Sequence, residues 1–245
     1  LAGARAVEAL RNEGFDGRII LVGAEYHLPY DRPPLSKEVI LGSKDPGDTL
    51  IHKSDFYSRN DIELLLGSRA RRIDTHGRRV ELHDGLSVQA DKVLLCTGTT
   101  PRRPEIPGLD LDGVHFLRTV DDAAGIRDRM RAGAAVVILG GGLIGIELAA
   151  SALQLGNQVT VLERSAAVLG RVLPERIARC LTRFHVERGV RMVTGAKVAA
   201  VEGDHRVRRV TMDDGTSIEA DLVVVGVGVT PAVDVAVNSG IDVDN

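Results

Sequence analysis

The chain has no apolar run that approaches the ~18 residues a membrane-spanning helix needs, and it shows no signal-peptide pattern. Its net charge of −3 leaves no strong excess of either sign. Proteins that bind nucleic acids or membrane surfaces through charge carry a large basic excess. We therefore expect a protein that binds neither nucleic acid nor membranes.

Cysteine is scarce as well. The only two, Cys96 and Cys180, do not form a C-x-x-C pair. This usage is typical of a reduced protein without a redox disulfide and predicts a cytoplasmic location. The seven histidines show no metal-ligand spacing, so we expect no metal site.

What is present is enough apolar sequence for a packed core. The 245 residues are 44% hydrophobic and 27% charged, which is ordinary for globular proteins. At the usual ~100–200 residues per domain, the length allows one or two domains.

The strongest motif lies in residues 136–164, "VVILGGGLIGIELAASALQLGNQVTVLER". An apolar strand is followed by Gly140, Gly142 and Gly145 in a G-x-G-x-x-G pattern, then by an Ala/Leu-rich helix and a second strand. Glu163 follows Gly140 by 23 residues. The alternative is a tight strand–helix turn without a ligand, but the complete context favours a dinucleotide site.

The opening of the chain repeats the second half of this motif. "LAGARAVEAL" aligns with "LIGIELAASA" at an offset of 142, so Gly3 stands where Gly145 stands. "RIILVGAE" predicts a strand that ends in Glu25, as the later strand ends in Glu163. We expect a second dinucleotide unit whose first strand and leading glycines are absent. The end of the chain, "IDVDN", also stops in mid-element, so we expect truncation at both ends.

A second internal repeat supports duplication. "ELHDGLSVQADKVLLCTGTTP" (81–101) matches "TMDDGTSIEADLVVVGVGVTP" (211–231) at nine positions without an insertion. In each copy "DG" predicts a hairpin turn, and the apolar run after it predicts a strand covered on both faces. Cys96 ends that run in the first copy and is expected to be a small buried residue.

The fold class that follows is α/β, with two tandem Rossmann-like dinucleotide-binding domains and a small β-meander inserted in each. The segment "GTTPRRPEIPG" has three prolines within seven residues and predicts a stiff linker between them. The predicted boundaries are 1–107 for the first domain, 108–231 for the second, and 232–245 for a segment that returns to the first.

Four segments carry a family resemblance: "YDRPPLSK", "CTGTTPRRPEIPG", "LRTVDDA" and "GGGLIGIELAA". With them, the whole chain resembles the FAD-dependent NADH:ferredoxin or rubredoxin reductases that serve aromatic-ring dioxygenases and cytochromes P450. The resemblance implies a glutathione-reductase-like FAD/NAD(P) architecture, with FAD in the first domain and NADH in the second. The family's third domain is absent from this sequence.

The resemblance also implies a set of FAD-binding residues. Glu25 would take the adenosine ribose hydroxyls, Arg32 the pyrophosphate, and the backbone of Ala70 the adenine. The other implied contacts are Ala2 and Gly3 at the helix start, Cys96, Thr97 and Gly98 in a strand-end loop, and Arg118 in "LRT".

Two residues are implied to act beside the flavin ring. The chain has five lysines against 26 arginines, which makes Lys37 in "PPLSK" unusual. A lysine ammonium near the flavin stabilises its anionic reduced form. Glu147 matches a family acid that approaches both the flavin and this lysine, and its alternative role is ordinary pairing with the helix dipole.

The implied NADH site uses the second glycine motif. Gly140, Gly141, Gly142, Leu143, Ile144 and Gly145 would approach the pyrophosphate, and Gly228 the nicotinamide end. Glu163 would hold the ribose 2′-hydroxyl and disfavour a 2′-phosphate, a preference that Arg164 next to it could soften.

The implied reaction is hydride transfer from NADH to FAD, then release of single electrons to a ferredoxin or rubredoxin, by a monomer or weak dimer. Peroxide, disulfide and CoA-disulfide reductases need a reactive cysteine, and "HLPYDRPPLSK" has none. A monodehydroascorbate-type reductase and a redox sensor resembling apoptosis-inducing factor remain open. We expect these 245 residues alone to bind FAD weakly, because a central strand is missing.

Overall fold

The computed structural model of the chain describes residues 1–170 and 172–244. Its helices are α1 (Ala2–Asn12), α2 (Glu38–Leu41), α3 (Ser54–Arg59), α4 (Val120–Arg129), α5 (Leu143–Gln154), α6 (Glu175–Val186) and α7 (Asp234–Asn238). Short 3-10 turns span Pro33–Ser36 and Pro46–Thr49. No helix in these two ranges is long and apolar enough to cross a membrane.

The strands follow in chain order. They are β1 (Ile19–Val22), β2 (Ile62–Leu65), β3 (Ala70–Asp74), β4 (Arg79–Leu82), β5 (Ser87–Gln89), β6 (Thr99–Pro101), β7 (Val114–Phe116), β8 (Ala135–Leu139), β9 (Gln158–Glu163), β10 (Arg191–Thr194), β11 (Val198–Gly203), β12 (Val207–Met212), β13 (Ser217–Glu219), β14 (Leu222–Val225) and β15 (Val229–Pro231).

The chain packs as two compact units. The first contains Leu1–Asp31, Gly47–Thr100 and the residues from Pro231 onward, and the second contains Arg32–Pro46 and Pro101–Thr230. The segment Arg32–Pro46, which includes "RPPLSK", therefore packs in the second unit although its sequence neighbours lie in the first. The boundaries at 107 and 231 remain predictions about domains.

The second unit is built on a parallel sheet in the order β10–β9–β8–β14–β7. Val136 to Leu139 of β8 are each at most 2% exposed. The antiparallel meander β11–β12–β13 packs against Val137 and Leu139 on one face. Helix α5 covers the other face near Ile138. The predicted α/β fold with a meander insert is confirmed here.

Strand β8 is the point where the strand order reverses. The chain continues from β8 to β9 and β10 on one side, and β14 lies on its other side. In open α/β sheets, ligands bind at the carboxyl ends of the strands beside such a switch point. The turn that follows β8 is therefore in the position of a ligand site.

The first unit repeats part of this plan. Strands β1 and β2 pair in parallel, with Ile19 opposite Ile62, and Val7 of α1 packs on them. The antiparallel meander β3–β4–β5 is the insert, and Val235 of α7 packs against it. The predicted opening helix, the strand after it and the meander are confirmed.

One predicted strand does not form. Segment 92–98 has no secondary structure and is mostly exposed, and Leu94 is 68% exposed. Its repeat counterpart is β14, whose residues Leu222–Val225 are at most 3% exposed. Strand β14 pairs with β8 and β7, whereas among the described residues of the first unit no strand pairs with 92–98. A strand needs a neighbouring strand to pair its backbone N–H and C=O groups. The apolar sequence of 92–98 alone was therefore not sufficient to form a strand.

Two details in the first unit are corrected as well. Cys96 is exposed rather than buried, because the strand that would carry it is unpaired. Glu25 does not end its strand: β1 ends at Val22 and Glu25 lies in the bend beyond it. Glu163, by contrast, is the last residue of β9.

The repeat makes a test of this difference possible within one molecule. We expect the amides of Leu222–Val225 to exchange with deuterium at least about 100-fold more slowly than those of 93–96, because opening a strand paired on both sides costs several kcal/mol. Hydrogen exchange followed by peptide mass spectrometry measures both. Equal protection would mean that 93–96 is paired with a further strand.

Candidate functional site

The turn between β8 and α5 is closed by glycine contacts. Gly140 has φ +108°, and a Cβ there would lie 2.4 Å from the carbonyl oxygen of Gly226. A Cβ at Gly145 would lie 2.1 Å from the carbonyl oxygen of Gly140. Both positions therefore exclude any side chain, since the two backbones touch.

Gly142 differs from its two neighbours in the motif. Its φ is −79°, a value open to any residue, and a Cβ there would meet nothing nearer than an oxygen at 4.0 Å. It is the N-cap of α5, where the first amides of the helix have no intrahelical acceptor and favour an anion. Next to it, Leu143 is 61% exposed. Open space above Gly142 and the following helix start fits a pyrophosphate.

Glu163 lies directly beside this turn. Its carboxylate oxygen Oε2 accepts the amide N–H of Gly141 at 2.7 Å, and Oε1 accepts that of Ser165 at 2.7 Å. A Cβ at Gly141 would lie 2.8 Å from a methyl group of Val168. The end of β9 and the glycine turn are therefore held together by the carboxylate, with exposed Arg164 immediately after it.

Lys37 and Glu147 form the contact that the resemblance implied. Lys37 Nζ lies 3.0 Å from Glu147 Oε2, and each side chain is 37% exposed. The Ser36 hydroxyl donates to the same Oε2 at 2.5 Å. The pairing of Lys37 with Glu147 is confirmed, whereas its place beside a flavin stays a prediction.

Arg32 and Arg118 are also brought together. The Arg32 guanidinium donates to the carbonyl oxygen of Arg118. The amides of Arg118 and Thr119 both donate to Asp122 Oδ2, and the Thr119 hydroxyl oxygen accepts the Asp122 amide. This capping box begins α4 and explains the "LRTVDDA" pattern as a helix start that fixes the backbone of Arg118.

In the first unit, the start of α1 lies against the exposed segment. A Cβ at Gly3 would lie 3.1 Å from Leu21 Cδ1 and 3.7 Å from Cys96 Cβ. Ala2 is the first residue of the helix. The helix start and Cys96, which the sequence linked only through the resemblance, are therefore neighbours.

The remaining candidate residues lie in loops and at strand ends. The Tyr30 hydroxyl donates to the Glu25 carboxylate, and the Thr97 hydroxyl donates to the carbonyl oxygen of Ala232 at 2.6 Å. The other three are Ala70, the first residue of β3, Gly98, whose carbonyl accepts the Ala232 amide, and Gly228, which has φ +115°.

Sequence reasoning missed three serines that hold these groups. The Ser36 hydroxyl donates to Glu147 and the backbone amide of Ser165 donates to Glu163, and each serine adjoins a residue that was singled out. Ser151 donates to the carbonyl oxygen of Ser36 at 2.8 Å and is 3% exposed. The one available signal was a serine at a buried position of the Ala/Leu-rich helix α5. The described residues contain no cluster of three or more His, Cys, Asp and Glu that could hold a metal ion.

A glycine turn at the switch point of a parallel sheet, with a carboxylate ending the next strand, defines a dinucleotide-binding protein of Rossmann type. Its first unit repeats part of that plan. The chain belongs to the pyridine nucleotide-disulphide oxidoreductase family, whose model matches residues 1–245.

The individual relatives describe a narrower class of protein than the family model does. The chain is 40% identical over 244 residues to the benzene 1,2-dioxygenase system ferredoxin–NAD(+) reductase subunit of Pseudomonas putida, covering 100% of this chain and 59% of that protein. The ferredoxin reductase for the CYP199A2 system of Rhodopseudomonas palustris is 36% identical with a TM-score of 0.95, over 99% of this chain and 60% of that one.

The structure of a covalent putidaredoxin reductase–putidaredoxin complex matches with a TM-score of 0.95 and 33% identity, over 99% of this chain and 60% of that one. The chain thus spans about three fifths of the length of these relatives. The resemblance to ferredoxin reductases is confirmed.

Two alanine substitutions in the glycine turn distinguish an effect on NADH binding from an effect on folding. Gly142→Ala adds a methyl group to open space, so we expect a stability change within about 0.5 kcal/mol but at least tenfold weaker NADH binding. Gly145→Ala forces a backbone shift and should cost about 1–3 kcal/mol or more. Thermal unfolding and NADH titration measure the two effects. Undiminished NADH binding by the Gly142→Ala variant would contradict the assignment of this space to a pyrophosphate.

Proposed function

We propose that this chain carries the two dinucleotide-binding domains of an FAD-dependent NADH:ferredoxin oxidoreductase, bounded at residues 107 and 231. The proposed reaction is hydride transfer from NADH to FAD, followed by single-electron transfer to a [2Fe–2S] ferredoxin or a rubredoxin. The observation that carries the proposal is the glycine turn at the switch point, with Glu163 bonded to it through Gly141.

NADH fits the second unit. The pyrophosphate would pass over Gly142 toward the first amides of α5, where open space and unpaired N–H groups coincide. Glu163 would accept ribose hydroxyls, and its negative charge would repel a 2′-phosphate. Gly228, with open space where a Cβ would lie, would let the nicotinamide end approach the backbone.

FAD binding is proposed for the first unit. The start of α1 at Ala2 and Gly3 would hold the FAD pyrophosphate as the start of α5 would hold that of NADH, and Glu25 would take the adenosine ribose. Ala70 and the loop Cys96–Gly98 of the same unit would add contacts to FAD. The resemblance also implies FAD contacts from Arg32 and Arg118, which pack in the second unit. The pairing of Arg32 with the Arg118 carbonyl supports a shared role for these two arginines.

The chemistry of electron transfer belongs to the bound flavin, which accepts a hydride and gives up electrons one at a time. The protein would align the two ring systems and set the charge beside the flavin. Lys37 would offset the negative charge of the reduced ring, and Glu147 would fix the Lys37 ammonium at 3.0 Å. No side chain needs to act as a general acid or base.

The partner we propose is a small iron–sulfur protein. Ferredoxin is named for the Pseudomonas putida relative, and putidaredoxin occurs in the solved complex. We also propose a cytoplasmic location and a monomer or weak dimer. Both cysteines are exposed and free, which supports a reducing compartment.

Cofactor selectivity tests the NADH assignment. In the complete flavoprotein, NADH should exceed NADPH in kcat/KM by at least about tenfold, because charge-assisted hydrogen bonds contribute ~1.5–3 kcal/mol each. Glu163→Gln should narrow that ratio about tenfold while the protein keeps its flavin. Arg164→Ala is the matched control and should weaken only the reaction with NADPH. Equal kcat/KM for the two cofactors in the parent protein would exclude the assignment.

Lys37 tests the flavin assignment. Lys37→Ala should lower the flavin reduction potential and slow hydride transfer, because the anionic reduced ring loses a nearby positive charge. Lys44→Ala removes the same charge from the same segment and should change neither. Redox titration and stopped-flow reduction measure both quantities. An unchanged potential and rate in Lys37→Ala would make Lys37 an ordinary surface residue.

A further inference from the structure

We propose that Ser36 is a positioning residue for the Lys37–Glu147 pair, an inference that rests on the proposed function. Its hydroxyl fixes the carboxylate oxygen of Glu147 on which the Lys37 ammonium lies. Ser36 thereby sets how Lys37 is presented to the flavin, although it acts only through Glu147.

The geometry shows two donors on one oxygen. Ser36 Oγ lies 2.5 Å from Glu147 Oε2, and Lys37 Nζ lies 3.0 Å from the same atom. The serine hydroxyl has one hydrogen, and its other neighbouring acceptor, the Pro33 carbonyl, is at 3.5 Å. The Ser36 hydroxyl therefore donates its hydrogen bond to the Glu147 carboxylate and not to the Pro33 carbonyl.

Ser36 is much less exposed to solvent than the ion pair that it contacts. Ser36 is 4% exposed, whereas the Lys37 and Glu147 side chains are each 37% exposed. An exposed ion pair holds two long side chains poorly, because solvent screens the attraction and ordering costs entropy. A buried serine with one side-chain torsion provides the fixed point that the pair lacks.

The serine is itself anchored. Ser151, one turn after Glu147 on α5, donates to the carbonyl oxygen of Ser36 at 2.8 Å. Segment Pro33–Ser36 is thus tied to α5 at two places, but only the Ser36 hydroxyl reaches the Glu147 carboxylate. Ser151→Ala is therefore a matched control, since it removes a hydroxyl bond between the same two elements and leaves the carboxylate contact intact.

The first test needs no cofactor. A water-soluble carbodiimide joins a carboxylate to an amine that touches it, and peptide mass spectrometry measures the Lys37–Glu147 cross-link in the 245-residue chain. We expect the yield to fall at least threefold in Ser36→Ala and to stay within twofold of the parent in Ser151→Ala and Ser36→Thr. An equal fall in Ser36→Ala and Ser151→Ala would overturn the proposal, because both would then act through stability alone.

The second test uses the complete flavoprotein. Ser36→Ala should move the flavin potential in the same direction as Lys37→Ala by a smaller amount, and slow hydride transfer at saturating NADH about three- to tenfold with little change in KM. In a Lys37→Ala background the Ser36→Ala change should add nothing, since coupled residues are non-additive. Ser36→Thr should restore the parent potential.

The outcomes separate the two proposals. If Lys37→Ala shifts the potential but Ser36→Ala does not, or if the two changes add fully, only the positioning role is wrong. If Lys37→Ala itself has no effect, the flavin role of Lys37 fails and the positioning role fails with it.

Discussion

The pairing of a central strand on both of its edges is the constraint on which the rest of each unit depends. In the second unit, β8 bonds to β9 and β14, and this places the end of β8 beside both neighbours. The glycine turn can then close against Gly226 on one side, while Glu163 at the end of β9 bonds to Gly141 on the other. The geometry of the candidate site is therefore a consequence of strand pairing, with glycines where backbones touch.

The first unit shows what the same sequence pattern does without that pairing. Segment 92–98 repeats the β14 region of the chain, yet it is exposed and unpaired in the described structure. The Leu21 side chain and Cys96 both lie against Gly3 at the start of α1. Local features of the predicted dinucleotide site are present there, but among the described residues of this unit the parallel sheet that would align them consists of β1 and β2.

Much of the fold followed from the sequence, because its signals were local or repeated. Spacing of Gly140, Gly142 and Gly145 between a strand and a helix predicted the turn, and the 81–101 repeat predicted both meanders. The two failures at 92–96 share one cause. Whether 92–96 forms a strand, and whether Cys96 is buried, depends on a partner strand rather than on the residues themselves.

The candidate site was predictable to a similar degree. The glycines and Glu163 stood out from spacing, and Lys37 with Glu147 from the resemblance. The serines did not stand out. A hydrogen bond between residues 111 positions apart, such as the one from Ser36 to Glu147, produces no periodic pattern in the sequence. The packing of segment Arg32–Pro46 in the second unit was not predictable either. It depends on tertiary contacts with α5 through Ser36 and Ser151.

The central claim is that the second unit binds the nicotinamide dinucleotide over its glycine turn. Backbone amide NMR of the isotopically labelled chain during an NADH titration tests it most directly. The account predicts the largest shifts at Gly141–Gly145 and at Ser165, whose amide shares the Glu163 carboxylate with that of Gly141. Shifts confined to α1 and the loop after β1, with none at the glycine turn, would contradict it.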